Sequence, residues 1–591
     1  MFRKKNLITL LAVFLGVHVF AQDVNLDSLL DEEMDKKTKN EVQYTDATFK
    51  TSRLINSHSV ETTQKGVLDL KISHRFGKLN EGAYNLFGLD EAHIRIGGDY
   101  GITNRLTIGG GRSSFEKEYD AFLKYRLLWQ STGKQTMPLS VTLFASTMLK
   151  TLKDESDSIK RAASDRYTFA FQALIARKFS SSFSMQLMPT MVHYNIVPTE
   201  DIPNDLYSIG AGARLKLTKR SSIVAEYYYQ FPNRKLPGTH NSFSVGYEIE
   251  TGGHVFQLTL SNSTGMTERT FINETTGTWE AGDIHFGFNI SRVFNVNTNR
   301  KKLPDFKTTD EKQKDQPAAL YASTKKPDSA KTHYVENTFS GTHLINGQSI
   351  ETTQKGLLNF IILHRFGTLN SGFYNAFGLD NASMRIGFEY GITNRLSAGF
   401  GRSTFEKQYD GFLKYRLLWQ SEGKQNMPLS LTLASSVILK TLKDTAIKNS
   451  SDRYSYSFQT IFARKFGRPF SLQLMPTLIH YNAMPVDNIS NNIYALGAGA
   501  RVAVTQSSAL TFEYYYVLSD PKLPGTYNSF SIGYEIETAG HVFQLHVTNS
   551  TGMTDRTFIA ETQGRWNKGD IHFGFNVSRV FVIHKAKTIN E

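Results

Sequence analysis

The sequence has no cysteine among its 591 residues. Disulfide bonds, thiolate-bound metal sites and catalytic thiols are therefore excluded. After a short apolar stretch near the N-terminus, the sequence has no run of about 18 apolar residues, so a helical membrane span is not expected. Tryptophan is scarce, with 4 residues, whereas phenylalanine (41) and tyrosine (27) are plentiful. The composition is otherwise ordinary for a folded protein.

Acidic residues are outnumbered by basic ones, and the formal net charge is +13 at pH 7. A basic protein can bind nucleic acid. Here the lysines and arginines are spread thinly, with local runs at Arg300–Lys302 and Lys325–Lys326. The sequence therefore predicts no nucleic-acid partner.

Residues 1–21 have the pattern of a cleaved secretion signal. Arg3, Lys4 and Lys5 form a basic start, residues 7–19 form an apolar stretch, and Ala21 ends a small-residue cleavage site. The apolar stretch is too short for a membrane anchor, and no cysteine follows it for lipid attachment. We therefore expect export across the inner membrane.

Most of the remaining sequence occurs twice. The stretch Thr48–Asp154 recurs as Thr338–Asp444 at an offset of 290 residues, and Asp165–Phe294 recurs as Asp452–Phe581 at an offset of 287. A repeat of roughly 245 residues is too long for a solenoid unit, whose period is about 20–50 residues. It has the size of a whole domain. The chain therefore holds two copies of one domain.

Polar segments separate and flank the copies. The predicted division, read from composition and from the repeat, is a signal peptide at 1–21, an N-terminal tail at 22–47, a first domain at 48–296, a linker at 297–337, a second domain at 338–584 and a C-terminal tail at 585–591. The linker is rich in lysine, aspartate, proline and threonine and has no apolar period, which is typical of a flexible chain. A coil of about 40 residues spans roughly 35 Å, enough to set two domains side by side.

Within each copy, apolar and polar residues alternate with a period of two. Ile94, Ile96 and Tyr100 share one face of a segment whose other face carries Arg95 and Asp99. This period predicts β-strands. Twelve are predicted in the first copy, near residues 67–75, 91–100, 105–112, 119–129, 138–148, 166–178, 182–193, 206–217, 222–229, 242–250, 254–262 and 283–294. Their lengths suit tilted strands that cross a bilayer.

The connections between these strands alternate in length. Those after even-numbered strands are short, whereas those after odd-numbered strands are mostly longer and polar, such as 76–90, 149–165 and 263–282. Transmembrane barrels have short turns on the periplasmic side and long loops outside. An even strand count then places the N-terminal tail, the linker and the C-terminus in the periplasm. The predicted location is the outer membrane of a Gram-negative bacterium.

The predicted fold class is all-β, with two tandem antiparallel transmembrane β-barrels of about 12 strands each. A soluble β-sandwich or propeller is the alternative, but the apolar strand face is nearly free of charge and the other face carries glycine, serine, amides and charges, which suits lipid outside and a polar lumen inside. Each copy also ends in an alternating strand with a terminal aromatic, Phe294 or Phe581. Two such strands favour two barrels over a single barrel of 24 strands.

Several strings resemble an uncharacterised outer-membrane β-barrel family of the Bacteroidota. They are HRFG (74–77), LFGLD (86–90), YGITNRL (100–106), GRSSFEK (111–117) and YDAFLKYRLL (119–128). The resemblance covers nearly all of each copy. It implies a barrel in an outer membrane, and it implies no reaction, substrate or catalytic residue.

Strand parity predicts which polar side chains line the lumen. In the first copy these are Arg95, Asp99, Asp120, Lys124, Arg126, Gln186, Arg214, Glu226, Glu248, Gln257 and Asn289. In the second copy they are Arg385, Glu389, Asp410, Lys414, Arg416, Gln473, Arg501, Glu513, Glu535, Gln544 and Asn576. Opposite charges are nearly balanced, which favours a network that fills the barrel over a selective charged ring. Any open path is expected to be narrow and weakly selective.

Other motifs carry weaker hypotheses. The stretch 111–117 is expected to be a salt-bridged loop anchor or a ligand site at the mouth, and 86–90 an apolar knot that packs against other loops, covers the mouth or enters the lumen.

The pair His240 and Ser242 has the step that a hydrolase would need, but Tyr527 replaces the histidine in the second copy. The remaining histidines, such as His74 and His285, have no ligand spacing.

These observations predict an outer-membrane barrel protein that forms a narrow pore or binds and transports a small solute. The first alternative is a structural or surface-interaction protein with a filled lumen, and a lipid hydrolase is a minor alternative. No enzymatic activity, cofactor or metal is predicted. The expected partners are outer-membrane lipid, the barrel assembly machinery and a small solute.

Overall fold

The structure is a computed structural model. The structure describes residues 41–154, 162–197, 201–251, 253–296, 330–443, 449–467, 469–538 and 540–584. The predicted signal peptide, most of the N-terminal tail and linker, and the C-terminal tail lie outside these residues. Across the described ranges, no helix has the length and apolar character needed to span a bilayer.

Twelve antiparallel strands close into the first barrel. In chain order they are β1 (Val67–Lys78), β2 (Ala92–Gly101), β3 (Leu106–Ser113), β4 (Glu118–Leu128), β5 (Ser140–Lys150), β6 (Tyr167–Lys178), β7 (Phe183–Tyr194), β8 (Asp205–Lys216), β9 (Ser221–Gln230), β10 (Phe243–Thr251), β11 (His254–Ser261) and β12 (His285–Asn295). Each strand pairs with its neighbours in sequence, and β12 pairs with β1 to close the barrel, with Asn289 opposite Ser73.

The second copy closes into its own barrel of twelve strands. These are β13 (Leu357–Thr368), β14 (Ala382–Gly391), β15 (Leu396–Ser403), β16 (Gln408–Leu418), β17 (Ser430–Lys440), β18 (Tyr454–Lys465), β19 (Phe470–Tyr481), β20 (Asn492–Ala503), β21 (Ser508–Val517), β22 (Ser529–Thr538), β23 (His541–Thr548) and β24 (His572–Val582). Strand β24 pairs with β13. The prediction of two tandem twelve-stranded barrels is confirmed.

Alternation along each strand separates an outer apolar face from an inner face. In β4, Leu123 and Tyr125 are 46% and 43% exposed, whereas Asp120, Lys124 and Arg126 are buried. The side-chain period of two produces this separation. The outer face therefore presents an apolar belt and the inner face brings charges into the lumen.

Part of the inner wall is apolar. Leu174, Met188, Val224 and Tyr228 point inward and form one buried cluster with residues of the barrel's N-terminal segment. The expectation of a polar lumen therefore holds for only part of the wall. The reason is that segments of the chain fill the lumen. Wall side chains that contact these segments instead of water are stabilised by being apolar.

A hairpin from the N-terminal end of each copy occupies the lumen. In the first barrel we define the plug hairpin as residues 48–63. It follows the short strand Val42–Tyr44, which pairs with Ser131–Gly133 in the turn after β4. Its tip is closed by a 2.8 Å hydrogen bond from the Leu54 N–H to the Ser57 carbonyl oxygen. The chain leaves the lumen at Gly66, beside the β2–β3 turn. The hairpin thus enters and leaves at the short-turn end, and residues 338–353 form its counterpart.

A second segment enters the lumen from the opposite, long-loop end. We define the lumen loop as residues 262–277 in the first barrel and 549–564 in the second. The prediction of a long external loop at 263–282 is wrong for most of this stretch. Met266, Phe271 and Ile272 are at most 2% exposed, and Arg269–Asn273 forms one turn of π-helix inside the barrel. These apolar side chains gain more from burial in the lumen than from exposure to water.

Candidate functional site: the filled lumen

All sixteen charged residues predicted for the lumen wall point inward. Arg501 is half-buried, and the other fifteen are buried. A buried charge is stable only when it is paired or hydrogen-bonded. The partners of these side chains fall into two groups, the plug hairpin and opposite charges on other strands of the wall.

Glu226 on β9 binds the tip of the plug hairpin. Its carboxylate accepts hydrogen bonds from the backbone N–H groups of Ile55 (3.2 Å), Asn56 (2.9 Å) and Ser57 (3.1 Å). The Ser57 hydroxyl donates a fourth at 2.6 Å. A turn leaves such N–H groups without partners in the main chain, and a carboxylate satisfies several of them with charge-assisted bonds.

The second barrel repeats this arrangement with Glu513 on β21. The N–H groups of Ile345, Asn346 and Gly347 donate to its carboxylate at 3.2, 3.1 and 2.9 Å. The Asn346 side-chain amide adds a bond of 3.0 Å. The two copies therefore fix the hairpin tip in the same way, although serine has become glycine at one of its positions.

Two cations on β4 bind the limbs of the plug hairpin. The Lys124 ammonium donates to the carbonyl oxygens of Ser52 (3.1 Å), Ser59 (2.8 Å) and Glu61 (2.5 Å). The Arg126 guanidinium donates to the Val60 carbonyl at 3.0 Å and to the Glu61 carboxylate at 2.6 Å. These contacts neutralise Arg126 and satisfy carbonyl groups of the hairpin.

Lys414 and Arg416 occupy the same positions in the second barrel. The Lys414 ammonium donates to the carbonyl oxygens of Thr342 and Glu351 at 3.0 and 2.5 Å. Arg416 donates to the Ile350 carbonyl at 3.0 Å and to the Glu351 carboxylate at 2.6 Å. In both barrels the fourth strand, β4 or β16, therefore anchors the hairpin.

Three amide side chains of the wall complete the anchoring. Gln186 accepts from the Val60 N–H at 2.6 Å and donates to the His58 carbonyl at 2.8 Å. Gln257 donates to the Leu54 carbonyl at 2.7 Å, and Asn289 to the Ile55 carbonyl at 2.9 Å. The equivalent bonds in the second barrel are made by Gln473, Gln544 and Asn576.

Other wall charges form ion pairs between strands that lie two apart in the barrel. Arg95 forms a two-pronged ion pair with Asp120, with one bond of 2.8 Å. Arg214 donates to Glu248 at 2.9 and 2.8 Å. Their counterparts pair in the second barrel, Arg385 with Asp410 and Arg501 with Glu535. In each of these pairs the two opposite charges compensate each other inside the barrel.

The lumen loop is held at the long-loop end by both polar and aromatic contacts. Arg269 donates to Glu274 at 2.8 Å and lies 3.4 Å from Glu118 on β4. The ring of Phe271 packs edge-on against Tyr228, with 5.4 Å between centroids. Phe558 and Tyr515 repeat this contact at 5.2 Å.

The plug hairpin and the lumen loop meet inside the barrel. His58 of the hairpin lies 3.6 Å from Glu268 of the loop, and both side chains are buried. The His58 ring also packs between Phe122 and Phe144 of the wall, with centroid distances of 4.4 and 4.3 Å. One segment therefore fills the lumen from the short-turn end and the other from the long-loop end.

Two small cavities lie between the hairpin and the wall. A cavity beside Arg53, Ile55 and Gln257 encloses about 20 Å³, and one beside Thr342 and Gln544 encloses about 30 Å³. A water molecule needs about 10–15 Å³ of such space. Each of these cavities has room for one or two waters, and neither is large enough to be a solute pathway.

The base of the lumen loop carries an ion pair at the mouth of the first barrel. Asp283 accepts hydrogen bonds from the Asn80 amide (3.0 Å) and the Lys78 ammonium (3.1 Å). These two bonds lower the pKa of the Asp283 carboxyl below its usual range. The carboxylate is therefore charged at neutral pH and fixes the loop where it meets β12.

The candidates for catalysis and metal binding lie apart from one another. His193 is 2.7 Å from Asp205 at a strand end, while His240 is exposed and Ser242 is buried. Over the ranges that the structure describes, no three histidine or acidic side chains are grouped as a metal site would require.

Sequence reasoning missed the plug hairpin and misplaced the lumen loop, although the repeat carried a signal for both. Leu54-Ile55-Asn56 and residues 61–66 are identical in the second copy, outside any predicted strand. In the lumen loop, Ser263–Met266 and Arg269–Ile272 are likewise unchanged. Irregular segments that survive drift between two copies indicate a packed role, since exposed loops vary more readily.

Several solved structures of porins and outer membrane channels match part of this chain. The NanC porin aligns at 8% identity and a TM-score of 0.26, covering 38% of this chain and 98% of its own. The KdgM porin aligns at 10% identity and a TM-score of 0.24, covering 38% and 99%. An outer membrane channel from Pseudomonas putida F1 aligns at 13% identity and a TM-score of 0.26, covering 39% and 98%. No curated protein matches the chain.

A family profile matches both copies over almost their whole length. It is described as a membrane-bound beta-barrel domain, DUF5777, and it covers residues 49–294 and 339–581. Both matched stretches begin within the plug hairpin and end in the last strand, so the hairpin is part of the domain. The chain belongs to this family of membrane-bound β-barrel domains and carries two copies of the domain.

Proposed function

We propose that the protein is a structural or surface-interaction component of a bacterial outer membrane, built from two barrels whose lumens are sealed. The observation that carries this proposal is the plug hairpin, whose tip is fixed by Glu226 in one barrel and by Glu513 in the other. The filled-lumen alternative of the sequence analysis is therefore preferred to the narrow pore. Catalysis is not part of the proposed role.

Opening a barrel would be costly in free energy. Withdrawal of the hairpin would leave Glu226, Lys124 and Arg126 on the inner wall without their present partners. Each buried polar group that loses its partner costs about 1–3 kcal/mol, and more if it is charged, unless water replaces the bond. The closed state should therefore dominate the population.

The proposed location rests on the leader and on the barrel itself. Export by the signal at 1–21 would deliver the chain to the periplasm. The short-turn end, where the hairpin enters, would then face the periplasm together with the linker. The proposed partners are outer-membrane lipid around the apolar belt and the machinery that assembles barrels.

Gated passage of small solutes is the second candidate function. Both ends of the hairpin lie at the short-turn end, beside Ser131–Gly133 and Gly101. The hairpin could therefore withdraw without unpairing a wall strand. The polar contacts of the hairpin with the wall could be replaced by water. A transient pore would then be lined by the anchors of the hairpin.

Conductance in planar bilayers separates the two candidates. We expect the wild-type chain to give no current steps. The double variant Glu226→Ala and Glu513→Ala removes the tip anchor from both hairpins. Its silence would support sealed barrels, whereas flickering steps would favour gated passage. Steady steps from the wild-type chain would overturn the proposal of sealed lumens.

A matched control removes two carboxylates that lie outside the lumen. Glu116 and Glu406 occupy equivalent loops and pair with Lys150 and Lys440. The double variant Glu116→Ala and Glu406→Ala should behave as the wild type. Heat-modifiable gel migration verifies that every variant is folded before its conductance is measured.

A further inference from the structure

The stretches 86–90 and 111–117, which have no role in filling the lumen, each contact the counterpart of the other in the second barrel. Arg112 and Lys117 of the first barrel each donate to Asp380 of the second at 2.7 Å. Arg402 and Lys407 of the second barrel donate to Asp90 of the first at 2.8 and 2.6 Å. The stretch 111–117 in one copy therefore binds the stretch equivalent to 86–90 in the other.

These contacts are reciprocal position by position. Lys117 donates to Asn375 at 2.8 Å, and its counterpart Lys407 donates to Asn85 at 2.8 Å. The backbone N–H groups of Lys153 and Lys443 donate to the hydroxyls of Tyr374 and Tyr84, each at 3.2 Å. An interface in which residue i meets j while j meets i is isologous and has two-fold symmetry.

The position of the two-fold axis is marked by two histidines. His74 on β1 and His364 on β13 are counterparts in the repeat, and their ring centroids are 6.1 Å apart. A residue can lie beside its own counterpart only near a two-fold axis. The axis therefore passes between β1 and β13, and the charged contacts lie in the loops beyond the ends of these strands.

Apolar side chains around the axis are covered, although they lie on the outer faces of the barrels. His74, Phe76 and Ile94 are 0%, 1% and 4% exposed, and their counterparts His364, Phe366 and Met384 are equally buried. Elsewhere on the outer face, Leu143 and its counterpart Leu433 are 47% and 44% exposed. Each barrel thus shields this patch of the other from lipid.

We define the pairing surface by its members on the first barrel and their counterparts on the second. The members are His74, Phe76, Asn85, Asp90, Ile94, Arg112 and Lys117. We infer that the pairing surface is a self-complementary docking surface of this domain, and that its partner is a second copy of the same domain. The chain is then a covalently joined dimer, and the pairing does not depend on whether the lumens open.

The chemistry of the pairing surface suits association within a bilayer. Apolar burial gives little drive there because lipid is as apolar as leucine, so close packing and polar contacts decide. The buried side chains of His74, Phe76 and Ile94 and their counterparts supply the packing. The carboxylates Asp90 and Asp380, each facing two cations, supply charge contacts beyond the strands. The covalent connection raises the effective concentration of the second barrel.

Cross-linking in the full chain tests the pairing directly, since the protein has no native cysteine. His74→Cys and His364→Cys place two thiols at the axis, and a protease site inserted within 297–329 allows the folded chain to be cut. After treatment with a short reducible cross-linker and cleavage, we expect one band on a denaturing gel that reductant splits into two halves. Two halves before reduction would overturn the inference.

The control pair lies on the exposed outer face. Leu143→Cys and Leu433→Cys are also counterparts, on β5 and β17, and their exposure places them away from the pairing surface. This variant should give two halves with or without reductant. Heat-modifiable migration before cleavage verifies that both variants are folded.

A second experiment shows what holds the barrels together. In the cleaved chain without added cysteines, the wild-type halves should co-elute in mild detergent. Asp90→Arg with Asp380→Arg sets like charges against each other and should separate them. The matched variant Asp165→Arg with Asp452→Arg alters carboxylates that bond only within their own loops and should not. Separation of the wild-type halves, or co-elution of the Asp90/Asp380 variant, would contradict the inference.

Discussion

The two barrels differ in the inward side chains of their first strand. On β1 three of the inward residues are Asp69, Lys71 and Ser73, whereas β13 has Asn359, Ile361 and Leu363 at the same positions. Lys71 donates to Asp99 at 2.7 Å, to the Ser52 hydroxyl at 2.6 Å and to Asp69. In the second barrel, Ile361 and Leu363 instead pack with Met553. A buried charge cluster has thus been exchanged for an apolar one.

The contacts at the hairpin tip did not change in the same way. Glu226 and Glu513 bind the tip with the same set of backbone N–H groups, and the amides of Gln186 and Gln473 make the same two bonds. The property that both copies retain is therefore the filling of the lumen, not the pattern of charge along it. This contrast supports sealed barrels over a pore that selects solutes by charge.

The largest expected effect comes from breaking the cluster that only the first barrel has. Lys71→Met should leave Asp69 and Asp99 buried and facing each other without their cation. Loss of one partner of a buried charge group costs about 3–5 kcal/mol. In the chain cut within 297–329, the folded band of the first half should disappear at a clearly lower temperature, while the second half is unaffected.

Replacing the charge cluster of the first barrel by the equivalent residues of the second barrel should remove that loss of stability. The combined variant Asp69→Asn, Lys71→Ile, Ser73→Leu and Asp99→Glu copies the wall of β13 and β14 into the first barrel. We expect its first half to unfold near the wild-type temperature. A combined variant as unstable as Lys71→Met alone would show that the two walls are not interchangeable.

An intermediate effect should be shared by both barrels. Glu226→Ala and Glu513→Ala each leave three backbone N–H groups of a hairpin tip without their acceptor. We expect each to lower the free energy of unfolding of its own barrel by about 3 kcal/mol, because each unsatisfied buried group costs about 1–3 kcal/mol and water replaces part of the loss. Unfolding temperatures of the two halves provide the measurement, and a loss in only one barrel would contradict a common tip anchor.

The smallest effect concerns an asymmetry in the contacts between the two barrels, beside the pairing surface. Tyr119 stacks on Phe373 across the barrels with centroids 6.1 Å apart, but Ala83 occupies the position equivalent to Phe373. Ala83→Phe should add a stack against Tyr409, and Phe373→Ala should remove the existing one, each worth at most about 1 kcal/mol. The detergent concentration at which the cleaved halves stop co-eluting should rise for Ala83→Phe and fall for Phe373→Ala. A shift in the same direction would contradict two-fold symmetry.

The strands and the inward side chains could be predicted from the sequence because both follow from a period of two. The strand predicted at 119–129 is Glu118–Leu128, and parity alone places Glu226 on the inner face. The plug hairpin and lumen loop have no such period, so alternation does not reveal them. The pairing surface is hidden for another reason: Phe76 and Ile94 alternate as any outward residues do, whether lipid or a second barrel covers them.

Accessibility of the hairpin tip tests the occupied lumen most directly. Ser57→Cys places the only thiol of the chain at a fully buried position, and Ser180→Cys places one in an exposed turn at the short-turn end. With a membrane-impermeant maleimide, we predict prompt labelling at position 180 and none at position 57 until the protein is denatured. Equal labelling rates at both positions, in protein that still migrates as folded barrels, would contradict a lumen sealed by its own N-terminal hairpin.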